Sequence, residues 1–105
     1  MTTLSTHVLD AATGDPAPGL MVVLHDGDGE AITGRTDEDG RIRFDVEVGA
    51  GTYQLVFDTG SWFAAHDRPT FYPEVVVTFE VEPGREHLHV PLLLSPFAYT
   101  TYRGS

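Results

Sequence analysis

Hydrophobic residues in this chain recur mostly at every second position, in short runs separated by turn residues. A period of two marks strands that bury one face. Leu4 to Leu9 reads as the first, with Leu4, Thr6 and Val8 on one face and Ser5, His7 and Leu9 on the other. Asp10 to Gly19 is a loop punctuated by Gly14, Pro16, Pro18 and Gly19. Leu20 to His25 is a buried strand, too apolar to alternate cleanly, and Asp26-Gly27-Asp28-Gly29 turns it into a short strand from Ala31 to Thr36. Asp37-Glu38-Asp39-Gly40 suits a type I turn closed by glycine. Arg41 to Val46 then alternates, with Ile42, Phe44 and Val46 inward and Arg41, Arg43 and Asp45 outward.

Beyond Gly49-Ala50-Gly51, Thr52 to Phe57 places Tyr53, Leu55 and Phe57 on the core face. Asp58 to His66 is the one plausible helix, capped by Asp58 or Thr59. Pro69 and Pro73 exclude regular structure before the strand Glu74 to Val81, whose Val75, Val77, Phe79 and Val81 point inward. Pro83-Gly84 leads into the run His87 to Leu94. There Leu88, Val90, Leu92 and Leu94 share the core face, and His87, His89, Pro91 and Leu93 the other. Leucine and proline beside two imidazoles make an unusual solvent face, which predicts that another subunit covers it. Ser95-Pro96 breaks the chain, and Phe97 to Arg103 returns as a last strand on which Thr100 and Tyr102 share a face. About eight short strands with evenly spaced turns predict an all-β antiparallel sandwich with one short helix.

The length, 105 residues, predicts a single domain over residues 1–105. The net charge of −10, with 16 acidic residues against 6 basic ones, disfavours nucleic acid and anionic membranes as partners. All the basic residues are arginine, so an anionic ligand would have to be held by one of them; Arg41, Arg43 and Arg103 lie nearest other candidate groups. The absence of cysteine excludes disulfides and thiolate chemistry. The sequence has neither a basic-then-apolar leader nor a stretch of transmembrane length, and a cytoplasmic location is expected.

Three predicted strands offer polar groups on their outer faces: His7, Arg41 with Arg43, and His87 with His89. Two imidazoles with an arginine between them form an acid/base and anion-stabilising set. A single histidine on an outer strand face is usually just solvated, but three strands presenting such groups together weigh against that. His25 beside Asp26, and His66 near Asp67 and Arg68, fit surface roles. His7, His87 and His89 can also be read as a zinc triad, against which stands the lack of a carboxylate near either segment. Ser105 has no Gly-x-Ser-x-Gly elbow and is weak as an activated nucleophile, but it brings a hydroxyl and a carboxylate together.

The chain resembles the transthyretin-related family from end to end. The resemblance is carried by Thr6-His7-Val8-Leu9-Asp10 with Gly14 and Pro16-Ala17, by Thr36-Asp37-Glu38-Asp39-Gly40-Arg41, by Tyr72-Pro73, by His87 to Pro96, and by Tyr102-Arg103-Gly104-Ser105. The last motif is similar to that of the family's hydrolase branch and is absent from its hormone carriers. Leu88, Ala98 and Thr100 depart from the residues common in the family, at positions without a functional role in its motifs. The resemblance implies a transthyretin-like sandwich of two four-stranded sheets, assembled as a homotetramer, a dimer of dimers, with a channel where subunits meet. It implies cofactor-free hydrolysis of a small molecule, 5-hydroxyisourate, in urate degradation. His7 and His89 would then activate water and move protons, and Arg41 would steady negative charge. Ser105 would act at the channel wall, and Tyr102, Arg103 and Gly104 would bind and frame the substrate. The alternative is a carrier that holds a small aromatic ligand in the same channel without turnover.

Overall fold

The computed structural model describes residues 1–104. Along the chain run β1 (Thr2–Asp10), β2 (Asp15–Pro16), β3 (Met21–His25), β4 (Ala31–Arg35), β5 (Arg41–Val48), β6 (Gly51–Phe57), α1 (Thr59–Ala65), β7 (Val75–Val81), β8 (His87–His89), β9 (Leu92–Ser95) and β10 (Ala98–Thr101). One sheet has the order β4-β3-β6-β7, antiparallel throughout. The other is built around β1, whose burial alternates strictly along its length. On one edge β1 pairs antiparallel with β5 and β2, and on the other it pairs parallel with β8 and β9, which carry β10 outside them. The two sheets bury a common core that includes Leu4, Val8, Leu92 and Leu94 from the first and Val22, Leu55, Phe57 and Val75 from the second.

The expected seventh strand is two strands in one line. Pro91 has no N–H to give to the ladder, so pairing stops there. The junction is held instead by the Val90 N–H donating to the Ser5 carbonyl (3.0 Å) and the buried Thr6 hydroxyl donating to the Val90 carbonyl (2.6 Å). With β8 and β9 taken as one line and the two-residue β2 set aside, this sheet too is four-stranded, in the order β5, β1, β8 with β9, β10. Its parallel pairing departs from the expected antiparallel pattern. Pro91 itself is buried within the chain, so of the two apolar residues expected to need a covering subunit, only Leu93 remains partly exposed.

The helix begins where expected, but neither Asp58 nor Thr59 caps it through a side chain. The Thr59 hydroxyl donates to the Tyr72 carbonyl, and Trp62 ties the helix to the segment between β2 and β3 by donating its indole N–H to the Pro18 carbonyl (2.7 Å). Asp10, buried at the end of β1, pairs with Arg68 at 2.5 Å. Burial pushes the Asp10 carboxyl up. Arg68 and the N–H groups of Ala12 and Thr13 outweigh that and hold its pKa below the ordinary value.

The turn before β5 decides where Arg41 sits. Asp37 accepts the N–H groups of Asp39 and Arg41 on one carboxylate oxygen, each at 2.9 Å. Gly40 adopts a left-handed φ of +74°, and its carbonyl accepts the Val8 N–H at 2.7 Å. A Cβ there would lie 2.4 Å from the Val8 carbonyl oxygen, which is backbone and has nowhere to go. Gly40→Ala is therefore expected to cost about 3 kcal/mol or more, from left-handed strain and a forced backbone shift together. Thermal or urea unfolding checks this; a loss under 1 kcal/mol, on the order of a surface substitution, would contradict it.

Candidate active site

His7 and Ser5 stand on the outer face of β1, because the neighbouring positions Leu4, Thr6 and Val8 fill the core. The ladder brings partners to each. His7 lies opposite Arg41 and Ser5 opposite Arg43 on β5, while on the other edge Ser5 lies opposite His89 and Thr3 opposite His87 on β8. Three sequence-distant segments thus place two guanidiniums and three imidazoles on one sheet face. A cleft of about 460 Å³ on this face is lined by Ser5, Asp37, Arg41, Arg43, His87 and His89, among others.

Hydrogen bonds organise one side of the cleft. The Ser5 hydroxyl lies 2.7 Å from His89 Nδ1 and 2.9 Å from His87 Nε2, and the Thr3 hydroxyl lies 2.6 Å from His87 Nδ1. His89 is half-buried and His87 exposed. Burial lowers the pKa of His89, and the neighbouring basic groups Arg41, His7 and His87 lower it further, against a smaller opposing contribution from the Ser5 backbone. His89 is therefore a neutral imidazole near neutrality, beside a fixed positive charge. Such a pair can accept a proton and stabilise an oxyanion at one centre.

The chain end contributes through its backbone. Gly104 bridges to His89, donating its N–H to the His89 carbonyl at 2.9 Å. A Cβ on Gly104 would come within 2.7 Å of the His89 ring, so only glycine lets this segment lie flat against the imidazole. Tyr102 and Arg103 are not brought to the imidazoles within one chain. They line a separate cleft of about 220 Å³ with Val77, Phe79, Leu88 and Val90. Thr100 pairs with Leu93, which pairs with Leu9, and so shares the His7 face. Ser105 lies outside the described residues. Among the described residues, no three of His, Asp and Glu are placed to hold a metal ion. Ser5, the residue joining both β8 histidines, was not singled out from the sequence. The available signal was its position two residues before His7 on the same face.

The sequence pattern of the HIUase/Transthyretin family matches residues 4–104. The chain belongs to the HIUase/transthyretin family. A relative within it, the 5-hydroxyisourate hydrolase of Salmonella typhimurium, is 46% identical over 109 residues, covering 97% of this chain and 80% of the relative. The structure of the Klebsiella pneumoniae 5-hydroxyisourate hydrolase superposes with a TM-score of 0.91 at 40% identity, covering 100% of this chain and 94% of that one. Another member of the family, sea bream transthyretin in complex with thyroxine, superposes with a TM-score of 0.87 at 33% identity, covering 96% and 93% of the two chains. The expected transthyretin-like sandwich with one short helix is the fold found. Among the described residues, no helix of this family member is long and apolar enough to cross a membrane.

Proposed function

We propose that this chain hydrolyses 5-hydroxyisourate, the substrate named for its hydrolase relatives. The observation that carries the proposal is the convergence of His7, Arg41 and His89 from three strands on one face, with His89 kept neutral by its surroundings. Water adds to a ring carbonyl, one histidine takes its proton, and the carbonyl oxygen becomes an oxyanion facing Arg41. The oxyanion collapses, the ring C–N bond breaks, the nitrogen leaves with a proton, and the former carbonyl carbon remains as a carboxyl group. His7 and His89 share the proton transfers. No cofactor is required for these steps.

The site is open on the side away from the second sheet. Leu9 and Leu93 lie opposite one another on this face, half-buried, with Thr100 beside Leu93. This row supports a homotetramer, a dimer of dimers, in which a second copy closes the site into a channel. Tyr102, Arg103 and Ser105 are proposed to frame the substrate in that channel, and the proposed location is the cytoplasm.

The deciding experiment follows the ultraviolet absorbance of freshly generated 5-hydroxyisourate. Acceleration of its decay by the protein supports the hydrolase; saturable binding without acceleration would make the protein a carrier instead. The pH profile is a further test. A base must be unprotonated, and the lowered pKa of His89 keeps it so further into acid than an ordinary imidazole at 6.5. Turnover is expected to rise with pH along an acid limb centred below that value and then to level off. The other charged or titratable groups facing His89 are His7 on β1, Asp37, Arg41 and Arg43 at and before β5, and His87 on β8. A kcat/KM that falls as pH rises through this range would contradict a neutral imidazole base.

A further inference from the structure

We propose that Ser5 is a positioning residue that holds His89 as the Nδ1–H tautomer, leaving Nε2 as the base that activates water; this rests on the hydrolase reading above. Side-chain contacts link Thr3, His87, Ser5 and His89 in one line, and each hydroxyl in it has one hydrogen to place. At its outer end the Thr3 hydroxyl lies 3.3 Å from the backbone carbonyl oxygen of Glu86. A carbonyl can only accept, and a hydroxyl has a single hydrogen. With that hydrogen on Glu86, the Thr3 oxygen accepts at 2.6 Å from His87 Nδ1–H. In its neutral form, the one this assignment takes, His87 then presents a lone pair at Nε2, and the Ser5 hydroxyl donates to it at 2.9 Å. Ser5 has no hydrogen left, so its 2.7 Å contact with His89 is one in which the oxygen accepts from Nδ1–H. The lone pair of neutral His89 is therefore on Nε2.

The direction matters for catalysis. With the hydrogens reversed, His89 would carry its hydrogen on Nε2 and face the substrate as a donor, unable to take a proton from water. In the proposed direction, protonation at Nε2 makes an imidazolium whose Nδ1–H bond to Ser5 becomes charge-assisted and stronger. Ser5 thus stabilises the transition state more than the resting enzyme, which raises kcat rather than lowering KM. Gly104, flat against the same ring, limits the imidazole to the orientation in which the Ser5 contact is made.

Ser5 and His89 are 84 positions apart in the chain, and no local propensity accounts for their contact. The Nδ1–H form is also the less favoured tautomer of a free histidine side chain, so its presence has to be imposed by a partner.

Nitrogen-15 imidazole spectra of the intact protein test this without reference to activity. His89 is expected as Nδ1–H in the wild type and as predominantly Nε2–H in Ser5→Ala. Ser5→Ala should lower kcat about 10- to 100-fold with KM changed less than about threefold, and Ser5→Thr, which restores the hydroxyl, should recover most of it. Thermal melting of the Thr variant guards against a folding defect at this half-buried position. An Nε2–H signal for wild-type His89, or a Ser5→Ala variant with wild-type kcat, would overturn the assignment. A wild-type protein inert toward hydroxyisourate would instead sink the hydrolase reading, and the spectra would still decide what Ser5 does to His89.

Discussion

His89→Ala and His7→Ala are each expected to lower turnover of 5-hydroxyisourate by about 10²- to 10⁴-fold, or ~3 to 5 kcal/mol of transition-state free energy. Both side chains lie on the outer face of the first sheet, while the core face of the same strands is filled by Leu4, Thr6, Val8 and Leu88. Truncating either imidazole therefore removes chemistry without opening a core cavity, and the melting temperature should change little. His89 is expected to show the larger loss, because its neutral form is favoured by burial and by the neighbouring basic groups Arg41, His7 and His87. His7 faces Arg41 across the ladder, and its proposed role is proton transfer to the departing nitrogen. Steady-state kinetics on the two variants, with far-ultraviolet circular dichroism to verify folding, settle each role. Near-wild-type turnover in either variant would remove that histidine from the mechanism.

Leu93→Asp is expected to break the assembly before it unfolds the subunit. Leu93 alternates with fully buried Leu92 and Leu94, and it sits beside Leu9 on the face that the second sheet leaves open. If a second copy covers that face, a carboxylate there is buried without a partner. The cost is about 3 kcal/mol or more, which raises the dissociation constant on the order of 10²-fold. Activity should fall together with the apparent mass as the variant is diluted. Light scattering on a chromatography column, with activity assayed across the peak, makes the comparison. A Leu93→Asp protein of unchanged mass and activity would show that this face is not an interface.

The strands that alternate were legible because their alternation is a local property. β5, β6 and β7 lie within two residues of where Ile42, Phe44, Tyr53, Leu55, Val75 and Val77 placed them. The placement of His7, Arg41 and His89 on outer faces was legible for the same reason. Which strands lie side by side is a tertiary property, and there the sequence was mute. Nothing near Ser5 announces that β8 runs parallel to β1, so the Ser5 bridge between His87 and His89 could not be read. The split at Pro91 was half legible. The missing N–H is visible in the residue type, but the Thr6 hydroxyl that takes over the Val90 carbonyl comes from the far end of the chain. Tyr102 was expected on the same strand face as Thr100 by extending alternation past Thr101, where β10 has already ended. The Asp10–Arg68 pair was missed because 58 positions separate its members.

The central place of β1 has a consequence for how the molecule comes into being. During synthesis β1 is made before the other described strands, and its partners β8 and β9 follow only after the whole second sheet. Until then β1 offers one bare edge for most of the time the chain is growing, while the second sheet, β3 to β7, can already pair within itself. The Thr3–His87 and Ser5–His89 contacts close loops of more than eighty residues, which is entropically the slowest kind of pairing. The nascent chain can thus hold a nearly complete second sheet and no catalytic centre at all. The candidate centre arises late, when β1 meets β8.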